Sequence, residues 1–251
     1  MDKTVLPVQE VRFGDTRDLP IEMAFHRIGQ LRCSGQSSIV PVLESCAALK
    51  EAGFQESRYY VIDPDGVGAG VQQFEVFCDM TSHPSTAITV VGHDSEKRIR
   101  VAPCERPGCY SRKIKYDAEL IQLNALAHVS ESCEQYVKLD CRHIRFIQAG
   151  WGWWTSWDGR KMFYWGGATS NSGHCACGMT DSCSAPGILC NCDSNDHIWR
   201  TDEGILRDKL SLPIQAVYFG DTKDAPLEMA FHTIGKLMCK GKDGTQNYQS
   251  L

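Results

Sequence analysis

Two stretches of the chain carry the same alternation of apolar and polar positions. Val11/Val217 and Phe13/Phe219 are kept, while the interleaved Glu10/Ala216 and Arg12/Tyr218 differ, which is the pattern of a strand with one buried face. Gly-Asp-Thr follows as a turn and Glu-Met-Ala-Phe-His-x-Ile-Gly-x-Leu as a second strand. Both belong to a longer repeat: residues 2–35 and 208–241 match without a gap at 22 of 34 positions, at an offset of 206 residues. Two strands cannot bury their apolar face alone, so the segment is the closing piece of a larger unit. The chain therefore divides into the closing strands of a preceding unit (1–35), one complete unit (36–241) and a linker or tail (242–251), cut from a tandem array.

Within the complete unit, residues 41–53 place Val42, Cys46 and Leu49 near helical spacing, with Gly53 as a stop. Tyr59-Tyr60-Val61-Ile62, the turn Asp63-Pro64-Asp65-Gly66 and Phe74-Glu75-Val76-Phe77-Cys78 read as a hairpin. A helix packed on that hairpin brings Cys46 within disulfide reach of Cys78. Cys104 and Cys109 enclose the turn-forming Glu-Arg-Pro-Gly and can pair locally. Asp117 is placed to cap a helix over 118–128, and Val137, Leu139 and Cys141 alternate as a strand. The expectation is an α+β fold with a mixed or antiparallel sheet and short helices.

Composition narrows the setting. The chain has 251 residues, 42% hydrophobic and 23% charged, the balance of a globular protein. There is no run of eighteen apolar residues, so no membrane span is expected, and residues 1–20 lack the apolar core of a signal peptide; an excerpt or a mature form is expected. A net charge of -5 with scattered Lys and Arg leaves no basic footprint for nucleic acid. Thirteen cysteines are the strongest signal. The dense patch Cys175, Cys177, Cys183, Cys190, Cys192 contains no CxxC pair, and His174 is its only nearby imidazole, so disulfides are favoured over zinc. That places the chain outside the cell, secreted or in an ectodomain.

Twelve cysteines fall within the complete unit, namely Cys46, Cys78, Cys104, Cys109, Cys133, Cys141, Cys175, Cys177, Cys183, Cys190, Cys192 and Cys239, an even number that can pair internally. Cys33, the thirteenth, occupies the repeat position of Cys239, so its partner is expected in another unit. The strands from Leu6 to Cys33 are likewise orphaned. They either stay loose or, as we favour, complete another molecule's sheet head to tail and build a filament.

Three groups are candidate sites. Trp151, Trp153, Trp154 and Trp157 crowd into seven residues and form either a contact platform for protein or sugar or the wall of a region poor in aliphatics, the second being preferred. Asp193, Asn195 and Asp202 carry oxygens along one loop, a pattern that suits weak calcium binding as well as it suits a solvated acidic turn. His26 and His232 are one repeat position twice, a structural histidine rather than a base. No spacing offers a nucleophile with its base and orienter, so no enzyme is expected and the catalytic residues are none.

The segments SCAALKEAGF, YYVIDPDG and FEVFCDM, in that order, resemble the opening of a fibrinogen C-terminal-like domain. The resemblance is closer to the fibrinogen-like module of the contactin-associated, neurexin IV type proteins. It rests on Cys133-Glu134-Gln135 to Cys141, Tyr164-Trp165-Gly166-Gly167, the cysteine patch from Cys175 to Asp193, and Trp199 to Gly204. The closing segment is also similar, more distantly, to the end of fibrillar-collagen C-propeptides. The resemblance implies a disulfide-rich fibrinogen-like fold and supports the Cys46 to Cys78 pairing. The expected function is an extracellular structural or adhesive repeat module that contacts protein, including copies of itself. The alternatives are a calcium-dependent carbohydrate-binding protein and a propeptide-like oligomerisation domain.

Overall fold

The computed structural model describes residue 11 and residues 40–148 and 150–241. The first closing segment with His26 and Cys33, and the tail 242–251, lie outside the described residues. The chain divides into Met1–Val40 and Pro41–Leu251, and the fold set out below is that of the second unit.

That unit is a disulfide-rich α+β fold with two antiparallel sheets. Its elements are α1 (Cys46–Glu51), β1 (Arg58–Ile62), β2 (Phe74–Asp79), β3 (Ile88–Val91), β4 (Ile99–Arg100), β5 (Tyr110–Lys113), α2 (Leu120–Val129), β6 (Ser132–Arg142), β7 (Trp153–Thr155), β8 (Lys161–Met162), β9 (Arg200–Leu206), β10 (Ala216–Phe219) and β11 (Met229–Lys240). The larger sheet runs β1-β2-β3-β11-β6-β9, with β4 also on β11; the smaller runs β5-β10-β7-β8. Alternation carries the burial: along β6, Cys133, Gln135, Val137, Leu139 and Cys141 point inward and are buried. The core between the sheets holds Trp154, Trp165, Tyr164, Phe146, Phe219, Leu123 and Leu126.

The repeated segment supplies β10 and β11, and these are central strands. β11 lies between β3 and β4 on one side and β6 on the other, and β10 lies between β5 and β7. A unit without this segment would have both sheets split along the middle. On β11 the register shifts between Ile234 and Leu237. This bulge resets the alternation, so that Phe231 and Met238, an odd number of residues apart, both stay on the outward face. Gly235 sits in the bulge because a Cβ there would lie 2.9 Å from the Cβ of Tyr136.

Two local expectations shift. The first helix begins only at Cys46, with Ser45 Oγ accepting from the Ala48 N–H at 3.3 Å. Leu43 is extended and bridges Ile62. The second helix is capped by Glu119, two residues later than the expected cap Asp117. The Asp117 N–H is bonded to the Gly92 carbonyl, and the first turn is held instead where the Glu119 N–H donates to Gln122 Oε1 at 2.8 Å.

Candidate contact surface

All twelve cysteines of the unit are bonded: Cys46–Cys78, Cys104–Cys109, Cys133–Cys239, Cys141–Cys192, Cys175–Cys190 and Cys177–Cys183. The last three clamp the short turns Ala176–Met179 and Asn191–Ser194 beside the end strand β9. That edge is closed by polar contacts. Trp165 Nε1 donates to the Asp202 carbonyl at 3.0 Å and Asn191 Nδ2 to the Thr201 carbonyl at 3.0 Å, which removes an exposed pairing edge. Gly166 and Gly204 permit the approach, since a Cβ on Gly204 would stand 2.2 Å from the Gly166 carbonyl oxygen.

The loop with the expected calcium ligands has structural work. Asp193 accepts from the Phe146 and Gln148 N–H groups at 2.7 and 3.1 Å. Asp202 accepts from Asn191 and Cys192 N–H at 2.9 and 2.8 Å. Burial raises both carboxyls, that of Asp202 up to about 6. Asn195 ends the second short turn in a left-handed conformation, with its Oδ1 buried. Each of the four carboxylate oxygens is thus already committed to a backbone donor.

Of the four clustered tryptophans, Trp154 is fully buried with its Nε1 bonded to the Tyr164 carbonyl at 2.9 Å. Trp153, on the opposite face of β7, is stacked on Tyr218 at 5.2 Å under Lys161 Nζ. Trp151 and Trp157 are half-buried, the latter donating to the Leu210 carbonyl at 3.1 Å. Trp153 and Trp154 lie on β7 of the smaller sheet, and Trp151 and Trp157 flank that strand in sequence. His232 is buried in the core; Tyr110 Oη lies 2.9 Å from its Nε2, and burial pushes its pKa down to about 4.

The exposed aromatic groups lie elsewhere, on the outward face of the larger sheet. Ile198 and Trp199, 61% and 46% exposed, precede β9. Trp199 approaches Phe231 at 5.9 Å, and the Arg98 guanidinium lies 3.5 Å from the centre of the Phe231 ring. Arg100 and Asp140 flank Phe231 in register, Arg142 faces Met229, and Arg98 is paired with Asp140 at 2.7 Å. Arg142 Nε donates to the His197 carbonyl at 3.1 Å, holding the 196–199 turn against the sheet. The other end of the same face carries the row Tyr59, Phe77, Val90 and Met238. Tyr59 and Phe77 meet edge to face at 5.5 Å. A depression there is lined by Tyr59, Phe77 and Val90 with Glu75, Glu96, Asp117 and Lys236. Sequence alone did not reveal this surface, because it depends on which strands are neighbours; Trp199 stood out only as part of a motif.

Over 210 residues the chain is 38% identical to Neurexin-4 of Drosophila melanogaster, covering 79% of this chain and 16% of that protein. It is 36% identical to Contactin-associated protein 1 of Rattus norvegicus over 209 residues, and of Homo sapiens over 211, in each case 81% of this chain and 15% of the relative. The chain shares one module with these proteins. It spans about a sixth of their length. No family model matches the chain. No helix among the described residues is long and apolar enough to cross a membrane.

Proposed function

We propose that this unit is an adhesion module that works outside the cell by protein contact, through the outward face of its larger sheet. The observation that carries the reading is the composition of that face. Trp199, Phe231 and Met229 stand among Arg98, Arg100 and Arg142, and aromatic residues, Met and Arg are the types enriched where proteins meet. Six disulfides fit an oxidising compartment. The kinship with Neurexin-4 and Contactin-associated protein 1 points to a contactin-type cell-surface protein as the partner to try first. The test is binding of the oxidised full chain to a contactin ectodomain. Wild type should bind, and Trp199→Ala and Phe231→Ala should each weaken binding tenfold or more while Trp157→Ala leaves it unchanged. Equal binding by all four chains would refute the assignment of the surface.

Filament growth by strand exchange is a narrower version of self-contact. The residues that match 6–33 are β10 and β11, whose places in a complete unit are already filled and tied by Cys133–Cys239. Exchange therefore needs that disulfide opened, and it should proceed under reducing conditions and stop in oxidised protein.

A further inference from the structure

We infer that the two ends of the outward sheet face are complementary, so that the Trp199 end of one copy docks into the Tyr59 depression of a second copy. The inference rests on the contact reading of this face and names its partner. At the first end Ile198 and Trp199 are exposed. Around them Arg98 and Lys138 are offset by Asp140 and Glu203, whereas among the described residues Arg100 and Arg142 have no carboxylate within ion-pair distance. The second end is concave, with an apolar floor of Tyr59, Phe77 and Val90. Lys236 is paired there with Glu96 at 3.9 Å, whereas among the described residues Glu75 and Asp117 have no cation within that range. One end thus presents an exposed aromatic group with two uncompensated positive charges, and the other an aromatic hollow with two uncompensated negative charges.

Geometry makes this a contact between copies. Phe231 and Met238 mark the two ends on β11, and seven residues of strand separate them by roughly 23 Å, so a single sheet cannot bring its own ends together. Because both ends lie on one face, two copies can meet antiparallel with the Trp199 end of each in the depression of the other, a reciprocal contact that closes as a two-fold dimer. It leaves β10 and β11 in place and needs no strand exchange.

The experiment is sedimentation of the oxidised full chain against concentration, at about 0.05 M and about 0.5 M salt. Wild type should self-associate, more strongly at low salt. Arg100→Glu with Arg142→Glu should weaken association tenfold or more, as should Glu75→Lys with Asp117→Lys and, separately, Trp199→Ala. Thermal melts check that each variant folds, and any one folded variant suffices for the test. Mixing the two charge-reversed chains should restore association, because each then offers the other a matched pair. A wild-type chain that stays monomeric, or association that all folded variants retain, would overturn the inference. If the chain is monomeric yet still binds the contactin ectodomain through Trp199, only the self-contact fails and the adhesion reading stands.

Discussion

Cys133 and Cys239 face each other across β6 and β11, and their disulfide joins positions 106 residues apart. No other disulfide among the described residues closes so long a loop. Chain-entropy reasoning gives about 5 kcal/mol for that loop and about 2 kcal/mol for the five-residue separation of Cys104 and Cys109. Denaturant unfolding without reductant should therefore show Cys133→Ser with Cys239→Ser losing markedly more stability than Cys104→Ser with Cys109→Ser. Equal losses would mean that the unfolded chain is constrained in some other way.

Two buried groups should tilt stability in opposite directions with pH. Asp202, raised to about 6 by burial, keeps a proton in the native state that an unfolded aspartate releases near pH ~4. Its effect is to add stability as pH falls from 6 towards 4. His232, lowered to about 4 by burial, stays neutral in the native state while the unfolded imidazole takes up a proton below about 6.5. Its effect is to lose stability over nearly the same window. Each is worth about 3 kcal/mol, so wild type should change little between pH 4 and 6. As pH is lowered from 6 to 4, urea midpoints should drop in Asp202→Asn and rise in His232→Gln, and parallel profiles in all three proteins would contradict both assignments.

Tryptophans should separate by role. Trp154→Ala empties a fully buried site and should cost about 3–5 kcal/mol. Trp199→Ala, at the surface, should cost less than about 1 kcal/mol while weakening contact. A single set of melts and binding curves decides it.

Asp193 should matter to stability whether or not calcium is present. Its carboxylate satisfies the N–H groups of Phe146 and Gln148, and losing those acceptors costs about 1–3 kcal/mol. Asp193→Ala should be destabilised equally in millimolar calcium and in chelator. A penalty that appears only with calcium would support the ligand role.

The strands with one buried face were legible in the sequence. Val217 and Phe219 turn inward on β10, and the alternation seen at 137–141 extends through the whole of β6. Partners were not legible, because placing β11 between β3 and β6 depends on residues from 87 to 152 positions apart. Of the two readings weighed for the tryptophan cluster, the preferred one, a wall, fits the burial of Trp153 and Trp154, which are adjacent in a strand and face opposite ways. Trp199 escaped because its exposure is set by its place beside Phe231. The oxygens of Asp193 and Asp202 are ligand-like in spacing, but only the fold shows them turned to backbone donors.

The position of β10 and β11 bears on how the protein is made. Strands that neighbour one another in both sheets are synthesised early, yet the two strands that separate and join them come last, at 216–219 and 229–240. A chain emerging from its amino end therefore has β3, β5, β6 and β7 available before their shared partners exist, with open edges facing one another across a vacant lane. Completion must wait for the final segment of the unit. Until then the edges of β3, β5, β6 and β7 stay unfilled, so order of synthesis and fidelity of pairing become one problem for this protein.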